Sequence, residues 1–245
     1  MIFSRIFRAL RHPEQPDIPP SIRSVSRTHV GRVRTINEDR VLDQPERRLW
    51  AVADGMGGHS SGDVAAQMAI DGLDRVQMPS ADAILTALQS ANADIFEKLG
   101  CAGRRSGTTI VAAHVADGFV NLFWAGDSRA YRIREGAIQL LTRDHSVVQQ
   151  MVDAGALSPA AAARHPQSNV ITRALGVEKD VIVDHVTLPF RPGDVILLCS
   201  DGISRSLGDG RPPAGSIELM AQHLLDEALV RDGSDNASLV LIALQ

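Results

Sequence analysis

A chain of 245 residues is long enough to bury a sizeable core, and 44% apolar against 22% charged side chains exclude disorder for the chain as a whole. Its 25 basic and 29 acidic side chains leave a net charge of −4, the wrong sign for a protein that works by neutralising nucleic-acid phosphates, so nucleic acid is excluded as the main partner. No run approaches the roughly 18 apolar residues of a membrane span, and the N-terminus lacks the apolar stretch of a secretory signal, so no transmembrane segment is expected.

Residues 1–23 differ from the rest. Ile2, Phe3, Ile6, Phe7 and Leu10 fall on one helical face with Arg5, Arg8 and Arg11 among the others, and Pro13, Pro16, Pro19 and Pro20 then forbid continuation. The stretch reads as a poorly ordered leader ahead of one domain over residues 24–245. Leu49 to Ala53 is an apolar run ending in Asp54-Gly55, the pattern of a buried strand feeding a tight turn. A helix follows with Val64, Met68, Leu73 and Val76 on one face, then a second, capped by Ser80, with Ile84, Leu88, Ala91, Ile95 and Leu99. Strands are expected over 108–115, 119–125, 130–134 and 137–141, with Asp117-Gly118 and Glu135-Gly136 as hairpin turns. Residues 144–176 are helical in character but Ala-rich and broken by Pro159 and Pro166, a candidate mobile subdomain. Strands over 181–188 and 195–199, a helix over 217–229 and a closing strand over 239–244 complete an α+β layered sandwich with antiparallel pairing. Cys101 and Cys199 each stand alone, without the second cysteine a metal knuckle or disulfide framework needs, and a reducing, cytoplasmic setting fits them.

The chemistry lies where acids end strands. Asn37-Glu38-Asp39, Asp54-Gly55, Gly126-Asp127-Ser128, Ser200-Asp201-Gly202 and Asp235-Asn236 each deliver a carboxylate beside small residues that allow close approach. Carboxylates brought together repel unless a hard cation holds them, and oxygen ligands without a Cys or His pair favour Mg²⁺ or Mn²⁺ over zinc. Each pair is also a common turn signal, and spacing alone does not show convergence.

Gly31-Arg32-Val33-Arg34-Thr35-Ile36-Asn37-Glu38-Asp39 and Val52-Ala53-Asp54-Gly55-Met56-Gly57-Gly58-His59 resemble the first two signatures of the metal-dependent protein serine/threonine phosphatases of type 2C. Ser106-Gly107-Thr108-Thr109, Ala125 to Arg129, Asp144-His145-Ser146, Asn169 to Gly176, Cys199-Ser200-Asp201-Gly202 and Asp235-Asn236 are similar to the later ones, in the family's order. The resemblance covers about Ser24 to Gln245. Met56 and the Asn37-Glu38-Asp39 form resemble the bacterial branch, and the stretch from Pro45 to Trp50 resembles phosphatases associated with type VI secretion.

The resemblance implies a four-layer αββα sandwich of two antiparallel sheets flanked by helices, with residues of about 144–176 as a flap beside the active site. It implies that Asp54 bridges two ions, Mn²⁺ or Mg²⁺, with Asp201 and Asp235 on the first and Glu38 and the Gly55 carbonyl on the second. Asp127 with Asp201 would supply a third, weaker site, Asp39 would orient a metal-bound water, and Arg34 would grip the substrate phosphate with its planar fork. The implied reaction is in-line attack on phosphoserine or phosphothreonine of a protein by a metal-bridging hydroxide, opposing a Ser/Thr kinase, by a cytoplasmic monomer. Met56 stands where eukaryotic members carry a proposed general acid and cannot donate a proton. His59 reads as a solvated loop histidine, and a metal-bound water is the other candidate acid. His145 and His165 read as structural. In the flap, Arg164, Gln167 and Ser168 are candidates for substrate contact, while Arg173 either meets substrate or pins the flap to an acidic neighbour. A binding protein that has lost catalysis would lack at least one of these acids, and all are present. A nucleotide or phosphodiester hydrolase would want a basic stripe or a phosphate-cradling Gly-rich loop, and the chain has neither.

Overall fold

The computed structural model describes residues 21–57, 61–100, 106–207 and 215–245. Residues 1–20 of the expected leader lie outside the described residues, as do His59 and Cys101. Along the chain come β1 (Ile22–His29), β2 (Asp39–Gln44), β3 (Leu49–Met56), α1 (Gly62–Asp74) and α2 (Ala81–Ile95). A run of strands follows, β4 (Gly107–Thr108), β5 (Ile110–Ala116), β6 (Phe119–Ala125), β7 (Arg129–Arg134) and β8 (Ala137–Leu140), and then the short helices α3 (Val147–Asp153) and α4 (Pro159–Ala162). β9 (Asp184–Pro189), β10 (Val195–Cys199), α5 (Asp201–Ser204), α6 (Ile217–Arg231) and β11 (Ala237–Leu244) complete it. Pairing starts ahead of Ser24: Ser21 and Gln245 exchange backbone hydrogen bonds of 3.0 and 2.9 Å, and β1 runs from Ile22.

The strands form two antiparallel sheets, one in the order β1-β11-β10-β7-β8 and the other β2-β3-β5-β6-β9 with β4 on β3. Asp117-Gly118 and Glu135-Gly136 carry positive φ at both residues, 52° and 77°, then 52° and 76°. That is the twist a two-residue hairpin needs, and it locks Ala116 opposite Phe119 and Arg134 opposite Ala137. Facing side chains of the two sheets, among them Trp50, Val52, Val111, Leu122, Ile196, Leu198 and Val240, make the central core. α1 and α2 pack on the outer face of the second sheet, and α6 with α5 on that of the first, which gives the αββα layering.

Ser80 caps α2 by accepting from Ala83 N–H at 3.2 Å, and Ile84, Leu88, Ala91 and Ile95 are its buried stripe, as the spacing predicts. α1 departs from expectation. Its buried stripe is Ala65, Ala66, Ala69, Ile70 and Leu73, while Val64 is 43% exposed and Val76 lies past the helix end. Alanines let this helix sit close on the sheet, so the small side chains face inward and the periodic valine does not. Pro159 also departs: it opens α4 at the first helical turn, with Ser158 accepting from Ala161 N–H at 3.2 Å, where a break was expected.

Leu198 is wholly buried between the sheets. Leu198→Ala is expected to cost about 2–5 kcal/mol of unfolding free energy, read from chemical denaturation, because the two sheets cannot collapse onto the gap.

Candidate active site

Strand register delivers the acids to one end of both sheets. In the first sheet Cys199 lies opposite Leu239 and Arg129, so Asp201 just after β10, Asp235 just before β11 and Asp127 just before β7 leave from one edge. In the second, Asp39 opens β2 opposite Asp54 near the end of β3, and Ile110 opposite Ala125 brings the exit of β6, and so Gly126-Asp127, to the same edge. Arg34, Glu38, Asp54, Gly55, Asp127, Asp201 and Asp235 all line a cleft of about 260 Å³ there, and Asp39 is buried beside it. Met56, Gly57, Thr109, Asn169, Ile171, Arg205 and Asn236 complete the lining.

Backbone-to-backbone closeness makes this convergence possible. A Cβ on Gly55 would fall 2.2 Å from the Gly62 carbonyl oxygen, and one on Gly202 2.0 Å from that of Asn236, so neither position admits a side chain. Asn236 then pins the loop that carries Arg34 and Glu38. Its Nδ2 donates to the carbonyls of Val30 and Ile36 at 2.8 and 3.0 Å, and its Oδ1 accepts from Glu38 N–H at 2.8 Å. Thr109 holds the other strand: its N–H donates to the Asp54 carbonyl at 2.9 Å and its hydroxyl meets that of Ser128 at 2.7 Å.

The electrostatics are those of crowded acid. Burial pushes the Asp39 carboxyl up to about 7 even though Ser200 Oγ donates to its Oδ2 at 2.8 Å, and Asp39 Oδ1 is buried without a hydrogen-bond partner. Burial, reinforced by Asp201, raises Asp127 to about 7 as well. Asp54 is driven well above the ordinary carboxylate range by burial and by the charges of Asp39, Asp201, Asp127 and Asp235, and burial raises Glu38 and Asp201 too. As the side chains stand, no three carboxylates among the described residues close on one point. Two arginines reach in between them. Arg34 holds Asp235 with Nε to Oδ1 at 2.9 Å and Nη2 to Oδ2 at 3.1 Å, and Arg205 pairs with Asp201 one turn back and approaches Asp235 at 3.9 Å.

The other expected residues divide. Asn169 and Ile171 bring the segment over 144–176 to the cleft, but Arg164, Ser168 and Arg173 are not among its lining residues. Arg164 is exposed, Ser168 Oγ donates to Asn169 at 3.2 Å, and Arg173 donates to Asp184 Oδ1 at 2.6 Å. His165 Nδ1 accepts from Gln167 N–H at 3.2 Å, a local turn bond. Sequence reasoning missed Arg205 and the part played by Asn236. The i,i+4 spacing of Asp201 and Arg205 was a legible signal for the first; nothing in the sequence announces that Asn236 spans back across some 200 positions.

Comparison with known proteins agrees with this fold. Residues 28–236 match the family model described as protein phosphatase 2C. The serine/threonine phosphatase stp of Listeria innocua is 34% identical over 239 residues, which cover 88% of this chain and 93% of that one. Among solved structures, PppA, a key regulatory component of T6SS in Pseudomonas aeruginosa, superposes with a TM-score of 0.84 at 35% identity, covering 92% of this chain and 98% of that one. The catalytic domain of the serine threonine protein phosphatase PstP, in complex with 2 manganese ions, gives 0.82 at 32% identity, covering 92% and 99%.

A carboxyl whose pKa is raised by folding binds its proton more tightly in the folded chain. Its stabilising effect is therefore full below the unfolded carboxyl pKa of about 4 and is lost as pH climbs through the folded value. With Asp39 and Asp127 both near 7, the melting temperature in a chelator is expected to drop by at least about 4 °C between pH 5 and pH 8, and Asp127→Asn to flatten the drop. Scanning calorimetry across pH reads both.

Proposed function

Because the chain belongs to the protein phosphatase 2C family, we infer that it hydrolyses phosphoserine and phosphothreonine on proteins. The observation that carries the reading is the meeting of Glu38, Asp54, Asp127, Asp201 and Asp235 with Arg34 in one cleft, with Asp39 buried alongside. The donor set fits divalent cations. Asp39 Oδ1 is a buried acceptor without a partner, and a Cβ on Gly62 would fall 2.8 Å from the Gly55 carbonyl carbon and 2.9 Å from Met56 N, so a glycine there is what lets the backbone close up beside Glu38. Asp54, Asp201, Asp235, Glu38 and the Gly55 carbonyl would hold two Mn²⁺ or Mg²⁺ ions, and Asp127 with Asp201 a third. Such ions, when bound, activate water and neutralise phosphoryl oxygens.

The chain's own groups do the rest. Arg34, half-exposed at the mouth, offers its fork to the phosphate oxygens of the substrate. Asp39, anchored by Ser200 through Oδ2, would orient the attacking water. Cys199 is buried in β10 with its thiol pushed up by burial, so it is no nucleophile, and the attack is direct and in line. Met56 lines the cleft without a proton to give, and the leaving serine or threonine oxygen takes its proton from water.

Arg164 and Ser168 meet the protein substrate beyond its phosphoryl group, whereas Arg173, spent on Asp184, shapes the flap. On this reading the enzyme acts in the cytoplasm as a monomer against a Ser/Thr kinase; the isolated Cys101 and Cys199 suit a reducing compartment. Among the described residues no helix is long and apolar enough to cross a membrane. The likeness to PppA supports a role in controlling a type VI secretion system.

Phosphate release from a phosphothreonine peptide is expected with Mn²⁺ and to vanish with EDTA. Asp54→Ala and Asp201→Ala are expected to lose about 10³-fold or more in kcat. Arg34→Ala is expected to raise KM about tenfold with a smaller effect on kcat, because the fork binds phosphate in ground and transition states alike. Full Mn²⁺-dependent turnover by Asp54→Ala, or equal cleavage of a phosphodiester, would overturn the reading.

A further inference from the structure

His145 ties the Gly126-Asp127 turn to the segment over 144–176. Its backbone N–H donates to the Gly126 carbonyl at 2.9 Å, and its ring Nδ1 accepts from the Gly126 N–H at 3.0 Å, so both polar backbone groups of the residue before Asp127 end on this one histidine. With Nδ1 an acceptor, the proton of the neutral ring sits on Nε2 and serves Asp184 Oδ2 at 3.3 Å, and Asp184 in turn holds Arg173, whose Nη1 stands 2.9 Å from the same ring nitrogen. Asp184 Oδ1 takes Arg173 at 2.6 Å, and Arg173 also donates to the Ile182 carbonyl at 3.3 Å. The ring lies nearly parallel to Trp124, 12° between planes, and Trp124 Nε1 donates to the Arg143 carbonyl at 2.9 Å.

On its far side His145 belongs to the flap. Its carbonyl accepts from Thr172 N–H at 2.7 Å, Ser146 bridges to Ile171, and Val147 N–H donates to the Val170 carbonyl at 2.9 Å. Ile171 lines the cleft opposite the Gly126-Asp127 turn. Gly126 has φ +123°, and a Cβ there would fall 2.5 Å from Thr109 Cβ, so this turn is fixed in place by contacts and not by its own preference.

We propose that His145 is a positioning residue that keys the flap, through Arg173 and Asp184, to the turn bearing Asp127, so that movement of the flap is passed to that carboxylate. The kinetic consequence rests on the phosphatase reading of the cleft; the structural link does not. A ring bonded to Gly126 through Nδ1 and set against the Asp184–Arg173 pair through Nε2 cannot tilt toward the flap without loosening Gly126, and the chain of contacts is contiguous.

The test is amide exchange at Gly126 by NMR, with kcat and KM measured alongside. His145→Ala is expected to speed Gly126 exchange about tenfold, and His145→Asn, whose Oδ1 stands where Nδ1 stood, to bring it back within about twofold of the parent. Arg173→Met, which does not touch Gly126, is expected to speed the same amide about fivefold and to lower kcat similarly at unchanged KM. An unchanged Gly126 amide in Arg173→Met overturns the transmission, and equal exchange in the Asn and Ala variants overturns the role of the ring acceptor. If the Ala variant fails to fold, the other two still decide both points. An inactive parent protein would sink the phosphatase reading and leave the exchange result standing.

Discussion

Like charge held together is the constraint from which the site follows. Glu38, Asp54, Asp127, Asp201 and Asp235 share one cleft, and Asp39 sits buried beside Asp54. Left to themselves these groups separate or protonate, since a carboxylate loses most of its hydration on burial and gains only repulsion from its neighbours. The sandwich holds them because none sits on an independent loop. Each is within two residues of a strand end whose register is fixed by a central core of Trp50, Val111, Ile196 and their neighbours. Moving one acid outward means slipping a strand, and a slip by one residue turns that strand's core face to water.

Short polar side chains finish what the strands begin. Asn236 satisfies three backbone groups of the loop over 30–38, and Ser200 both donates to Asp39 and accepts from Ser238 N–H at 3.0 Å. These bonds cost little because the groups they meet would otherwise be unpaired. They leave Asp39 Oδ1 as the buried acceptor that the protein does not fill. Glycine does the complementary job at Gly55 and Gly202, where a methyl group would part the backbones that bring Glu38 near Asp54 and Asp201 near Asp235.

Much of this was legible in the sequence because it is local. The Asp117-Gly118 and Glu135-Gly136 turns, the Ser80 cap and the stripe of α2 depend on residues a few positions apart. The acids were legible as strand-end signals, and the ordered set of motifs carried their grouping. What escaped depends on distance. The inward face of α1 was read half right: Leu73 is buried and Met68 packs partly on the core, but small alanines, chosen by the sheet beneath, outweigh the periodic Val64. The role of Asn236 arises from partners about 200 positions away, and no window of sequence contains both ends.

The arginines around the cleft sort themselves by what surrounds them. Arg129 holds Asp144, which is 10% exposed, through two hydrogen bonds of 2.9 and 2.7 Å while its Nη1 donates to the Tyr131 hydroxyl at 3.2 Å. A pair so enclosed is fixed, because parting it strands a charge away from water. Arg34 is 52% exposed and Asp235 only partly covered, and an ion pair open to solvent on one side is held by about 1 kcal/mol or less. On the proposed reading its fork could therefore leave Asp235 for an incoming phosphate at little cost, and the carboxylate would then be free to take a cation. The same exposure that makes the pair weak makes it exchangeable, and exchange is what the proposed phosphatase site, taking both an anion and cations, would require.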